Sequence, residues 1–159
     1  MRKEDHNNAE EMFELHPRLV RDTLPVGDFG LCRLLLMNDA NYPWFILVPR
    51  RVGIREIFEL ELCDQHQLVK ESSQLSGVIS RVFHADKLNI AALGNMVPQL
   101  HVHHIVRYET DQAWPNPVWG MFAAQPYTKR VLQETCASLV DHLDGFTPDN
   151  NGIVAPRVC

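Results

Sequence analysis

Residues 31–37 and 44–49 are nearly continuous apolar runs, LCRLLLM and WFILVP, each the length of one buried strand. Between them Asn38, Asp39, Ala40, Asn41, Tyr42 and Pro43 are turn formers, so the two runs predict a hairpin. Residues 64–84 then change to helical spacing, with Leu68, Val69, Leu75, Val78, Ile79, Val82 and Phe83 on an apolar face and Lys70, Glu71 and Arg81 on the solvated side. Residues 87–93 return to strand character, and the turn at Gly94 and Asn95 leads into a partner strand over residues 94–107. Three further segments complete the pattern. Leu19, Val20 and Leu24 predict a short helix over residues 15–24, with Pro17 near its start and Pro25 closing it, and residues 28–30 read as a turn. The prolines of residues 110–120 exclude regular structure there and leave an aromatic loop. Residues 126–143 predict a last helix, with Val131, Leu132, Cys136, Leu139, Val140 and Leu143 inward.

Helix, hairpin, long helix, hairpin and helix together give an α+β domain, in which helices cover one face of an antiparallel sheet and leave the other face open. At 159 residues the chain is expected to form one domain, with residues 1–12 and 145–159 as loose termini. The formal net charge of −5 excludes a protein that coats nucleic acid through its overall charge, while a small phosphate pocket needs only a few local donors. No apolar run reaches membrane-spanning length, and the amino-terminal MRKEDHNNAEEMF lacks the apolar core of a signal peptide. A cytoplasmic protein is the expectation. Cys32, Cys63, Cys136 and Cys159 form no Cys-x-x-Cys pair and read as reduced thiols in core or tail positions.

The candidate chemistry lies in residues 94–107. Period-two alternation sets Gln99, His101, His103 and Ile105 on one strand face, and Leu100, Val102, His104 and Val106 on the other. A carboxamide and two imidazoles in a row are costly to bury without partners, which marks the row as a site. A neutral imidazole is a competent nucleophile near pH 7. His104, facing the opposite way, reads as a structural or interface residue, and Trp44, Trp114 and Trp119 read as packing residues.

The run Gly-Asn-x-Val-x-Gln-Leu-His-Val-His-x-Ile-x-Arg resembles the signature of the histidine triad (HIT) superfamily of nucleotide hydrolases and transferases, with Gln99 at the first triad position. More weakly, the hairpin at residues 34–51 shares the resemblance. It implies the HIT-like sheet and a homodimer. It also implies that His101 attacks an α-phosphorus, that His103 donates to the phosphate oxygens, and that Gln99 supports this network without shuttling a proton. By the same resemblance Asn38 holds the ribose, with Asp39 the fallback, and Asn95 orients the phosphate. Asn89 and Arg107 are further nucleotide-binding candidates, although Arg107 has the plainer role of balancing acids. Met96 stands where many members carry a hydroxyl residue, and Val106 replaces the usual proline. The expected activity is hydrolysis of a nucleoside phosphoramidate or dinucleoside polyphosphate through a covalent nucleotidyl-histidine. No cofactor is required, and magnesium would accompany only a polyphosphate substrate. A nucleotidyltransferase and a non-catalytic nucleotide-binding module are the alternatives. A cupin-like metal site built from His101, His103 and Glu109 ranks below them.

Overall fold

The computed structural model describes residues 12–149; of the loose ends expected at 1–12 and 145–159, residues 1–11 and 150–159, with Cys159, lie outside them. A short helix α1 (Pro17–Asp22) leads into strands β1 (Thr23–Asp28), β2 (Cys32–Met37) and β3 (Trp44–Pro49). One 3-10 turn at Ile57–Glu59 precedes the long helix α2 (Leu62–Val82), which is followed by β4 (Lys87–Ala91), β5 (Val102–Arg107), α3 (Lys129–Val140) and a two-residue β6 (Thr147–Pro148). All strand pairs are antiparallel, in the order β4-β5-β3-β2-β1-β6.

Both faces of the sheet carry an apolar layer. Leu34, Leu36, Phe45, Leu47, Val102 and Val106 meet Leu75, Val78 and Ile79 of α2 and Cys136 and Leu139 of α3. On the opposite face Leu35, Trp44, Ile46 and Ile105 gather under Leu19 of α1 and under Ala113 and Val118 of the proline-rich loop. That second layer is thinner, and Leu19 and Ile46 of it border the cleft that faces His101 and His103. Among the described residues no helix is long and apolar enough to cross a membrane.

Several expectations need correction. Thr23 and Leu24, expected in the first helix, open β1, which runs on through the proline expected to close that helix. A proline is tolerated there because β1 at Pro25 pairs only with β2, and a register shift follows between Pro25 and Gly27. The motif strand starts at Val102, so residues 94–101 are an irregular entry that carries Gln99 and His101. Val69 is 63% exposed, whereas Glu71 is 2% exposed. The Glu71 carboxylate accepts the amides of Leu31 and Cys32 at 2.7 and 2.9 Å and the Gln67 side chain at 2.8 Å, fastening α2 to the start of β2. Burial of a carboxylate with three donors is how a charged residue reaches the core. The stretch from 145 onward was expected to be loose, yet Thr147 and Pro148 pair with Asp28 and Gly27, and Phe146 packs edge-on against Phe29. Gly27 has φ +156°, and a Cβ there would strike the Thr147 carbonyl.

Candidate active site

His101 and His103 lie where the irregular entry becomes β5, and their rings meet edge to face with centroids 4.9 Å apart. Both are buried, at 7% and 5% exposure. His101 Nδ1 is 2.7 Å from the backbone carbonyl of Gln99. A carbonyl can only accept, so Nδ1 carries a proton, and in the neutral ring Nε2 then holds the lone pair. His103 has the reverse arrangement. The Trp44 indole N–H, which can only donate, reaches His103 Nδ1 at 2.9 Å, so the ring's single proton sits on Nε2. Burial first, and then the nearness of His101 and His104, pull the His103 pKa down to about 3, which keeps it neutral. Trp44 and Trp119 close around His103 with centroids 5.6 and 5.3 Å from its ring. The pair therefore presents one bare nitrogen and one N–H donor side by side.

An open cleft of about 320 Å³ faces both imidazoles. Leu19, Met37, Ile46, Val97 and Trp119 supply apolar wall, and Arg18, Asp22 and Asn95 supply polar groups. Asp22 bonds Arg21 at 2.7 Å, which holds its carboxyl below the usual carboxylate range, and Arg18 adds an ion pair at 3.4 Å. A smaller crevice on the other side of His101 is lined by Arg55, Glu56, Gly94 and Gln99.

His101, His103 and Asn95 of the sequence candidates reach this cleft; the others do not. Asn38 Oδ1 accepts the Tyr127 amide at 3.0 Å, tying the turn to the approach of α3. Asp39 Oδ1 accepts the amides of Asn41 and Gln125, each at 3.1 Å. Arg107 is 1% exposed; it pairs with Asp111 at 2.7 Å, bonds Asn89 at 2.6 Å and lies over the Trp114 ring. Arg107 and Asn89 thus close a buried structural network, because Ile105 separates Arg107 from His103 on that face of β5. Gln99 turns its amide to the amino-terminal chain, accepting from His16 N and donating to Glu14 O. Glu109 is held by Asp86 beyond the end of β5, and among the described residues no group of three or more His, Cys, Asp or Glu gathers as a metal site. Glu109 is thus not brought together with His101 and His103. His104 is structural, as its direction suggested: it sits under α2, with Nε2 2.7 Å from Ser72 Oγ and Nδ1 3.1 Å from the Val102 carbonyl.

Sequence reasoning missed Trp44, Trp119, Arg18 and Asp22. Trp44 faces the histidines only because β3 pairs with β5, Ile46 opposite His103. That pairing brings together residues almost sixty apart and leaves no local signal. The first helix did contain one: Arg18 and Asp22 are spaced i, i+4, one turn apart, and share a helix face with Leu19.

Comparison with known proteins adds an independent line. The HIT domain family matches residues 18–110. A solved histidine triad protein from Marinobacter aquaeolei VT8 is 54% identical with a TM-score of 0.82, over 84% of this chain and 98% of that one. Another from Bradyrhizobium japonicum is 44% identical with a TM-score of 0.82, over 84% and 99%. One from Sinorhizobium meliloti 1021 is 45% identical with a TM-score of 0.81, over 82% and 97%. The comparison with curated proteins returned no match. With a family match that spans most of the chain, and an antiparallel sheet that holds His101 and His103 at its cleft, the chain belongs to the histidine triad family.

Proposed function

We propose that the protein is a nucleotide hydrolase that attacks the α-phosphorus of a nucleoside 5′-phosphoryl compound through His101. The observation that carries this is the tautomer pair: a bare Nε2 on His101, held by the Gln99 carbonyl, beside an Nε2–H donor on His103, held by Trp44. The His101 lone pair forms an N–P bond while the bond from phosphorus to the leaving group breaks and its electrons depart with that group. His103 donates to a nonbridging oxygen, whose charge grows in the transition state. Water then attacks the nucleotidyl-histidine, which returns the neutral imidazole and a nucleoside monophosphate.

The cleft suits a nucleoside: its apolar wall accepts a base, and Asp22 offers an ionised acceptor for sugar hydroxyls. Asn95 stands at the phosphate end. Of the two substrate classes, the dinucleoside polyphosphate fits better. Its leaving nucleotide departs as a stable anion, whereas an amine must be protonated, and Gln99 has no proton to give. The chemistry requires no cofactor, and magnesium would enter as part of a polyphosphate substrate. The same reading takes the protein as a cytoplasmic homodimer, with β4 as the available edge; Ile90 on it is 51% exposed. Light scattering of the purified chain tests that assembly.

Turnover is tested by chromatography of diadenosine tetraphosphate and, separately, adenosine 5′-phosphoramidate after incubation with wild type and His101→Ala. Mononucleotide release by wild type alone supports the assignment. Equal release by His101→Ala overturns it.

A further inference from the structure

We propose that Gln99 is a positioning residue that holds the wall of the nucleoside cleft in register with His101; this rests on reading the cleft as a nucleotide site. The side-chain amide bonds one stretch of backbone twice. Its Oε1 accepts the His16 N–H at 2.9 Å and its Nε2 donates to the Glu14 carbonyl at 2.8 Å, across 83 and 85 residues of sequence. The main-chain carbonyl of the same residue accepts His101 Nδ1–H at 2.7 Å. One residue thus fixes the proton position of His101 with its backbone and the path of the amino-terminal chain with its side chain.

That path matters because it ends in the cleft. His16 caps α1, its Nδ1 accepting the Arg18 amide at 3.1 Å, and Arg18, Leu19 and Asp22 of α1 line the pocket. A helix of six residues has little stability of its own, so its placement depends on its anchors. Among them are the Gln99 amide ahead of it, the buried Leu19, the Thr23 hydroxyl bonded to the Leu19 carbonyl, and the Asn38 amide, which donates to the Asp22 carbonyl at 3.1 Å behind it.

The arrangement also explains the residue type at the first triad position. A carboxamide carries an acceptor and a donor at one end in one plane, which matches a backbone N–H and C=O two residues apart. An imidazole has its two nitrogens at separated ring positions and cannot pair with both groups. Glutamine at position 99 is therefore suited to clamping chain, and the clamp acts on substrate binding more than on the chemical step.

The test uses the full chain and Gln99→Met, which keeps length and removes both bonds. Calorimetry with adenosine 5′-monophosphate, steady-state kinetics with diadenosine tetraphosphate, and hydrogen exchange of the amides from 14 to 22 are the readouts. Gln99→Met is expected to weaken nucleotide binding and raise KM on the order of tenfold, with kcat within about threefold, as two lost neutral hydrogen bonds at a binding wall imply. Exchange at His16, slow in wild type although the residue precedes the helix, becomes fast. Unchanged binding with a collapsed kcat would place Gln99 in the chemical step and overturn the clamp, as would fast His16 exchange in wild type, which needs no variant to fold. Slow His16 exchange in a wild type that binds no nucleotide would keep the backbone bonds, refute the nucleotide reading and end the coupling proposed from it.

Discussion

Acid should weaken this fold through two histidines, one on each face of the sheet. His103 and His104 have pKa values lowered to about 3 and about 4, with burial the leading cause for both. In the unfolded chain each takes up a proton near its ordinary value of 6.5. Below that pH the unfolded state binds protons that the native state refuses, so the stability is complete above about pH 6.5 and is lost as the pH falls toward the folded values. For each group the loss between pH 7 and pH 5 is about 2 kcal/mol, and for the pair about 4 kcal/mol. The His104 share can be removed without touching the cleft. In Ser72→Ala/His104→Leu the buried imidazole and the hydroxyl that bonds it at 2.7 Å go together, which leaves no orphaned hydroxyl. Urea unfolding followed by tryptophan fluorescence at pH 7 and pH 5 reads the difference. The variant is expected to keep about 2 kcal/mol more of its pH 7 stability at pH 5 than wild type does. An identical pH dependence in the two proteins would refute the argument.

Trp44→Phe removes the donor that sets the His103 tautomer; kcat is expected to fall about tenfold, and nitrogen NMR should show the His103 ring proton shared between both nitrogens. Asp22→Asn keeps the size of the side chain and removes its charge, so KM for a ribonucleotide substrate should rise roughly tenfold with little change in kcat. Asn89→Ala should lower stability by about 1 to 3 kcal/mol in thermal or urea unfolding, because it orphans one arm of the buried Arg107, while KM stays at the wild-type value.

The hairpin around residues 38–43, both long helices and the pairing of β4 with β5 were legible because each rests on local spacing or turn chemistry. His101 and His103 were legible from the His-x-His spacing, although only His103 lies in the strand and His101 sits on the irregular entry to it. What the sequence concealed depends on distant pairings. Trp44 looked like a packing residue until β3 lay beside β5, and of the two roles open to Arg107, nucleotide binding and balancing acids, the pairing with Asp111 and Asn89 fills its guanidinium with the second. Glu71 sits at a helical position that spacing assigns to solvent, but two amides at the start of β2 draw its carboxylate inward. Pro25 was read only as the close of a helix, and β1 runs through it because one edge of the strand is free there. Side-chain periodicity conveys which face a residue takes; it does not convey what stands opposite.

Covalent catalysis at His101 leaves a nucleotidyl group on the protein, which intact-mass spectrometry of rapidly quenched samples detects. Wild type and His101→Ala are mixed with diadenosine tetraphosphate, quenched under mildly alkaline conditions that preserve a phosphorus–nitrogen bond, and weighed. One added nucleotidyl mass is expected on wild type, decaying as mononucleotide appears, and none on His101→Ala. Mononucleotide formed by wild type at full rate without any adduct, or an adduct that persists in His101→Ala, would contradict covalent catalysis at His101.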